Sequence, residues 1–577
     1  MKRLLTLLTI MTCISCQDAF ELYPPDRLSP ATAFNTADDL QLYVNSFYNN
    51  LPTGNTIVRG DALSDYLVGR SPSQYLTGTF NAAQATGWGW GALRNINYFL
   101  EHFRKAEIPE EELNHYEGMA RFFRAWFYYD KVKQFGDVPW YDTVLDVADE
   151  DLYKPRDPRS MVMEQVLADL DFAGTHIRPN KDNTASFVNK WVALGFKSRV
   201  CLFEGTLRKY HPELGLQETA DFWLEQAAEA AQEVIENGQY QLNMQGPLEL
   251  SYRNLFIHET PNTTEIMLAA VNSLDLRVFN DANWYWTSAT YGGRYSFIKS
   301  FINTFLMRDG SRFTDRGGYD EMPFWEEVED RDLRLQQVIR MRGYEREGVP
   351  TPPSFTYTYT GYHPLKFTLD SRRTDGVAEN NNSLPIMRYA EVLLNYAEAR
   401  AELGTLTQAA WELTIGKLRE RAGLTDTGMP SSADNYLMGT YFPEISDPLL
   451  LEVRRERGIE LCLEGFRFDD LVRWRKGELL EMPHDGMYVP EMDTAYDLNS
   501  DGNPDVAFVT QTPQNPAEGV YYFIIDGNQH KLTGQSNGKI IAMDNFVRRF
   551  EDHQYFYPIP FDEIVLNPNL EQNPGWE

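Results

Sequence analysis

Cysteine is scarce in this chain, with four in 577 residues. Two of them, Cys13 and Cys16, lie at the extreme N-terminus, so the rest of the chain cannot carry a disulfide framework. The other two, Cys201 and Cys462, sit in apolar-periodic helical stretches and read as buried thiols. Long apolar runs are also missing. Past the N-terminus nothing approaches the ~20 residues of a membrane-spanning helix. Positive charge is outweighed: Lys plus Arg number 53 against 84 Asp plus Glu, a net charge of −31. A phosphate backbone would be repelled, which argues against nucleic acid as a partner. The chain has no H-E-x-x-H and no phosphate loop ending in Lys-Ser/Thr. GWGWG (87–91) places glycines at alternate positions but fails the dinucleotide fingerprint, and its rings would block close approach of a pyrophosphate.

What the chain does have is bulk and aromatic rings. At 42% hydrophobic and 24% charged it is globular. Its length exceeds one ordinary core, which implies two or more lobes or a repeat-built array. Aromatics make up 13%, including 32 Tyr and 12 Trp. Lys2 and Arg3 precede the apolar stretch 4–11, which ends near CISC (13–16). This is a secretory signal over 1–15, and the junction looks like a bacterial lipoprotein site with Cys16 as the lipidated first residue. Simple secretion with cleavage nearby is the alternative. The proline-bearing 16–30 then serves as an extended tether.

Apolar periodicity predicts helices over 90–106, 115–136, 158–177, 187–211 and 219–238, and again over 384–404, 407–423 and 448–465. They come in consecutive pairs, with Ala120, Ala125, Ala193, Ala397 and Ala401 where neighbours must approach. That pattern suits tetratricopeptide-like helix pairs, although the strict repeat consensus is absent. The expected fold class is mostly α, a helix-pair scaffold with a loop-rich lobe containing short strands. The boundaries read as 31–240 for an N-terminal helical region, 241–383 for a loop-rich ligand-binding region, and 384–577 for a C-terminal region of helices and irregular segments.

Three clusters carry candidate chemistry. Glu456, Glu460 and Glu464 stand at i, i+4 steps, with Arg454, Arg457, Arg467 and Arg473 placed to offset their repulsion. A structural ion network is favoured over catalysis. Asp497, Asn499, Asp501, Asn503 and Asp505, with Gly502 at the turn, follow the first nine positions of a calcium loop. The twelfth position is Phe508 instead of Glu, so a structural Ca²⁺ and a metal-free Asx turn both stay open. No cofactor is required. Finally, NDANWYWTSATYGGRYS (280–296) sets five rings in a polar, glycine-bearing loop. Ring faces can stack on the C–H face of a sugar while Asn, Asp and Arg beside them hold its hydroxyls.

Several segments together resemble the SusD/RagB family of surface lipoproteins. They are Trp90-x-x-Leu93-x-x-x-Asn97, ARFFRAWFYYDKVKQFGDVPW (120–140), SRVCLFEGTLRKYH (198–211), LPIMRYAEVLLNYAEA (384–399), ERGIELCLEGFRFDDLVRW (456–474) and YFYPIPFDEIVLNPNLEQNPGW (555–576). The resemblance implies a non-catalytic protein anchored at the outer-membrane surface by Cys16. It implies capture of an oligosaccharide or polysaccharide, delivered to a SusC-like TonB-dependent transporter, with surface glycan-binding proteins and glycoside hydrolases nearby. It points to two sugar-contacting places. The first is Trp88 and Trp90 with Arg94 and Asn95; the second is Trp284, Trp286 and Tyr291. Trp325 and Tyr75 rank after these. The readings it competes with are a lid for a non-carbohydrate cargo such as peptide, a scaffold that binds no sugar, and a glycoside hydrolase.

Overall fold

The computed structural model describes residues 34–288 and 292–577. The signal, Cys16 and the tether lie outside the described residues, as does Tyr291. The first half is built from α1 (Ala37–Asn45), α2 (Gly91–His102), α3 (Glu110–Phe135), α4 (Arg159–His176), α5 (Lys190–Tyr210) and α6 (Ala220–Asn237). Their ends follow capping chemistry. The Thr36 side chain accepts from the Asp39 amide and Asp39 reaches back, closing a capping box on α1. The Asn189 side chain takes the Trp191 and Val192 amides at the start of α5. Gly136 ends α3 at φ 75°, a conformation that glycine adopts without a Cβ penalty.

Consecutive helices pack on one another: α3 on α4, α4 on α5, and α5 on α6. The α5–α6 contact depends on Gly205, because a Cβ there would lie 3.0 Å from the Leu224 backbone nitrogen.

After the short α7 (Ala282–Thr287), the second half contributes α8 (Tyr389–Glu402), α9 (408–421, with a π turn at Glu412–Gly416), α10 (Pro448–Glu460) and α11 (Arg467–Arg473). α8 packs on α5, α6 and α10, so the second set of helices continues the first. Two predicted helix ends are corrected. Residues 384–388 form a strand, β2 (Leu384–Arg388), antiparallel to β1 (Ile266–Ala270). All five of its residues are buried, and a short apolar run of that kind does not declare helix or strand by periodicity alone. The helix predicted to 465 stops at Glu460. Gly465 at φ 86° then lets the chain cross Gly60, where a Cβ on Gly60 would lie 2.5 Å from the Gly465 Cα.

The C-terminal irregular region holds two small sheets. In one, β8 (Gly538–Ala542) lies between β3 (Asp485–Val489) and β7 (His530–Leu532). In the other, β5 (Val506–Val509) lies between β4 (Ala495–Tyr496) and β6 (Tyr521–Ile524). Among the described residues no helix is long and apolar enough to cross a membrane. Cys201 and Cys462 are buried free thiols, and burial pushes both up to about 12.

A charged network ties the loop-rich region to the C-terminal helices. Glu460 binds Arg388 (2.6 Å), Arg334 (3.1 Å) and Arg421. Glu464 binds Arg388 (2.7 Å) and Lys366 (2.6 Å), and Glu456 binds Arg334 (2.8 Å) and Arg419 (2.7 Å). The structural reading of these three glutamates therefore stands, but with other partners. The arginines near them in sequence turn elsewhere: Arg454 to Glu402, Arg457 to Asp470, Arg467 to Asp65 and Arg473 to Glu398. Forked guanidinium–carboxylate pairs at this density fix helix register and leave no glutamate of the cluster free for acid–base work.

Candidate aromatic cleft

GWGWG lies across α3 just before α2. The Gly87 carbonyl accepts from Lys131, and Gln134 donates to the Thr86 carbonyl at 2.9 Å. Gly87 sits at φ 100° with the Gln134 side chain where a Cβ would be, so a larger residue would lift the loop off the helix. Trp88 turns inward against Phe135, with ring centroids 5.0 Å apart. Trp90 is half-buried. It meets Trp88 edge-on at 5.5 Å and Tyr141 at 5.4 Å, and Lys131 stands over its ring at 5.3 Å.

These rings form one wall of a cleft of about 480 Å³. A second wall is the segment 139–153, held by Asn97 of α2, which donates to the Tyr141 and Thr143 carbonyls at 3.0 and 3.2 Å. The third wall comes from the far end of the chain. Asn567 donates to the Lys154 carbonyl (3.1 Å) and Asn569 to the Tyr153 carbonyl (2.7 Å), seating Leu566 and Leu570 opposite the tryptophans. Tyr153 is 50% exposed and Leu566 68% exposed at the rim. Arg94, Asp146 and Glu563 complete the lining.

The cleft pairs flat apolar surface with a few fixed polar atoms. Asn97 is buried among the lining residues, and its Oδ1 is an acceptor with no hydrogen-bond partner. Burial, then the nearby Asp157 and Asp151, push the Tyr141 hydroxyl up to about 12, so it stays protonated and able to donate. Asn97, Tyr141 and Tyr153 were not among the sequence candidates. Asn97 is visible only as part of a family segment, and the two tyrosines reach the cleft through contacts that no local pattern announces.

Of the predicted site residues, Trp88, Trp90 and Arg94 come together here, with Trp88 itself a buried ring, 5% exposed, that backs Trp90. The others do not. Asn95 accepts from the Tyr43 hydroxyl (2.7 Å) and donates to Ser46 (3.2 Å), pinning α2 to α1. Tyr75 is a core ring, stacked on Tyr557 at 4.6 Å with its hydroxyl bonded to the Gln554 carbonyl. Trp286 is also core. It is 1% exposed, stacked on Phe367 at 5.2 Å, and its indole N–H donates to the Val58 carbonyl. Both corrections share a reason, since a ring with both faces packed offers none to a ligand. Trp284 stays half-buried beside Tyr285, away from the cleft. Arg59 covers Tyr285 at 4.1 Å. Trp325 lies apart from both, stacked on Tyr496 at 5.5 Å.

The 497–505 loop closes on itself. Asp497 accepts the Ser500 and Gly502 amides, each at 2.7 Å, and Asp505 accepts the Leu498 amide at 2.7 Å. Among the described residues no three His, Cys, Asp or Glu side chains converge as a metal site.

Comparison with known proteins gives a consistent picture. The family model described as the SusD family matches residues 270–576. A second model, described as starch-binding associating with outer membrane, matches residues 86–202, the part that contains the tryptophan wall. Two curated proteins of Formosa agariphila are similar. SusD-like protein P2 is 26% identical over 81% of this chain and 89% of its own length. SusD-like protein P38 is 23% identical over 84% of this chain and 93% of its own. Among solved structures, a SusD-like carbohydrate-binding protein of Bacteroides fragilis superposes with TM-score 0.68 at 21% identity, covering 93% of this chain and 99% of its own. Another SusD-like protein of the same species gives 0.67 at 22% identity, covering 93% and 97%.

Proposed function

Because the chain belongs to the SusD family, whose model covers its residues 270–576, we propose that it captures an oligosaccharide at the bacterial outer-membrane surface. In this reading Cys16 carries the lipid anchor and the cleft at Trp88, Trp90, Tyr141 and Tyr153 holds the sugar chain. A TonB-dependent barrel transporter receives the cargo, and the captured glycan leaves the protein chemically unchanged.

The observation that carries the reading is the pairing of the half-buried Trp90 and exposed Tyr153 rings with a buried, unpartnered acceptor at Asn97. A pyranose has an apolar C–H face and polar edges. Stacking it on the Trp90 side of the cleft removes ~80–100 Å² of apolar surface from water, on the order of 2 kcal/mol before ordering costs. A hydroxyl directed at Asn97 Oδ1 and another accepting from Tyr141 would fix the ring's orientation. Such binding is weak per ring, and it gains from several rings engaging one chain. The carbohydrate-binding description of the Bacteroides fragilis relative supports the same reading. The test is titration of the full chain in detergent with a panel of neutral and acidic oligosaccharides. Saturable binding to one glycan class that is lost in Trp90→Ala supports it. Binding of peptides in place of every glycan would replace it.

A further inference from the structure

A second, smaller pocket lies away from the tryptophan cleft. Its volume is about 170 Å³, and it is walled by the 62–76 loop, Tyr295, the approach to β3 and the segment after β8. That is close to the roughly 150 Å³ which encloses one six-membered ring. Met543 and Leu67 give it an apolar side. Two lining residues carry buried polar atoms without a protein partner, the Ser64 hydroxyl and His484 Nδ1. Burial, and secondarily Arg548, push His484 down to about 3 against a backbone hydrogen bond at Ala542, so its ring stays neutral with Nδ1 left unpartnered.

The charge of this pocket is unlike that of the rest of the chain. The protein carries −31 overall, yet no Asp or Glu lines the pocket, and Arg548 does. Arg548 is held by two backbone carbonyls, those of Leu480 and Met482. The acid whose charge reaches it is Glu481, and that carboxylate accepts the Phe550 amide at 2.8 Å. A guanidinium hydrogen-bonded to neutral carbonyls, with no carboxylate paired to it directly, favours an anionic group on whatever enters.

We infer that this pocket takes a single sugar ring bearing an anionic substituent, a carboxylate or a sulfate. Arg548 meets the charge, and Ser64 and His484 bond ring hydroxyls. The inference rests on the glycan-binding reading above and adds a charge class and a second place of contact.

The experiment is titration of the full chain in detergent with glucose, glucuronate and glucose 6-sulfate. Wild type is compared with Arg548→Gln and with Ser71→Asp, which adds a carboxylate at an exposed position of the same wall. The expected result is binding of an acidic sugar about tenfold tighter than glucose, the scale of one charge-assisted hydrogen bond. That preference is lost in both variants and weakened by raised salt. Glucuronate and glucose 6-sulfate distinguish the two anions. Equal affinity for charged and neutral sugars, or a preference unchanged in Ser71→Asp, overturns the inference even if Arg548→Gln fails to fold. Trp90→Ala, run alongside with oligosaccharides, separates the two failures. Oligosaccharide binding that depends on Trp90 without any acidic-sugar preference sinks only this inference. Absence of all glycan binding sinks both.

Discussion

GWGWG and NWYWT are alike on paper. Each sets two tryptophans two residues apart in a polar stretch, yet the structure treats them differently. In the first, the chain is not helical: Trp88 is buried against Phe135, and Trp90 stays half-buried directly beside it. Trp88 and Trp90 therefore meet edge-on at 5.5 Å and share one cleft wall. In the second, the residues wind into α7, where two steps turn about 200° around the axis. Trp286 is carried into the core onto Phe367, while Trp284 stays on the other side, half-buried. Aromatic composition marks where rings are, and the backbone between them decides whether they can act together.

The comparison breaks most visibly in stability. Trp286→Ala removes a fully buried ring and its hydrogen bond to Val58. It should cost about 3–5 kcal/mol, seen as a large fall in the midpoint of denaturant unfolding. A small loss there would mean that Trp286 is not a core ring and would reopen its loop as a platform.

The next effect concerns the buried network, where charge plays the part that rings play in the core. Glu460→Gln leaves arginines uncompensated and should cost about 3–5 kcal/mol. It should also change the acid sensitivity. Burial alone would raise Glu398, but Arg473, with Arg457 and Arg454, holds it down to about 2. The same contest leaves Glu460 well below the ordinary carboxylate range, with Arg421, Arg388 and Arg334 opposing burial. A carboxylate lowered by folding contributes stability above its unfolded value near ~4.3, and loses it as pH falls toward the folded value. Burial raises Asp61 and Glu452, which act in the opposite sense. The melting temperature of wild type should hold from pH 7 to about 5 and drop between about 4.5 and 2. Glu460→Gln should show a shallower drop, and an unchanged slope would count against the network as the acid-labile element.

The smallest effect is at 497–505. Its carboxylates already accept backbone amides, so adding Ca²⁺ or a chelator should move the melting temperature by under about 1 °C, since little binding energy is then linked to folding. A rise of several degrees with Ca²⁺ would establish a metal loop there.

Much of the fold was legible in the sequence. The long helices declared themselves by period and caps, and the ion network by the spacing of Glu456, Glu460 and Glu464. Its partners did not, because Arg334, Arg388 and Arg421 reach those glutamates through tertiary folding rather than along one helix. The strand at 384–388 was hidden for a related reason, since it is a buried apolar run whose pairing partner lies more than a hundred residues earlier. At the site, Trp88, Trp90 and Arg94 were visible as a local cluster. The third wall was not, because Leu566 and Leu570 come from the far end of the chain. Tyr75 and Trp286 were misplaced because exposure is settled by what packs on each face of a ring, and sequence composition does not record that.

The most direct measurement is isothermal titration of one glycan that binds the full chain against Trp90→Ala and Trp284→Ala, both checked for intact folding. If the cleft at GWGWG is the binding wall, Trp90→Ala weakens binding at least tenfold, about the contribution of one stacked ring face. Trp284→Ala then leaves the affinity within about twofold, as expected of a ring outside the contact. The reverse pattern, binding lost with Trp284 and kept without Trp90, would contradict the assignment and move the site to the loop around α7.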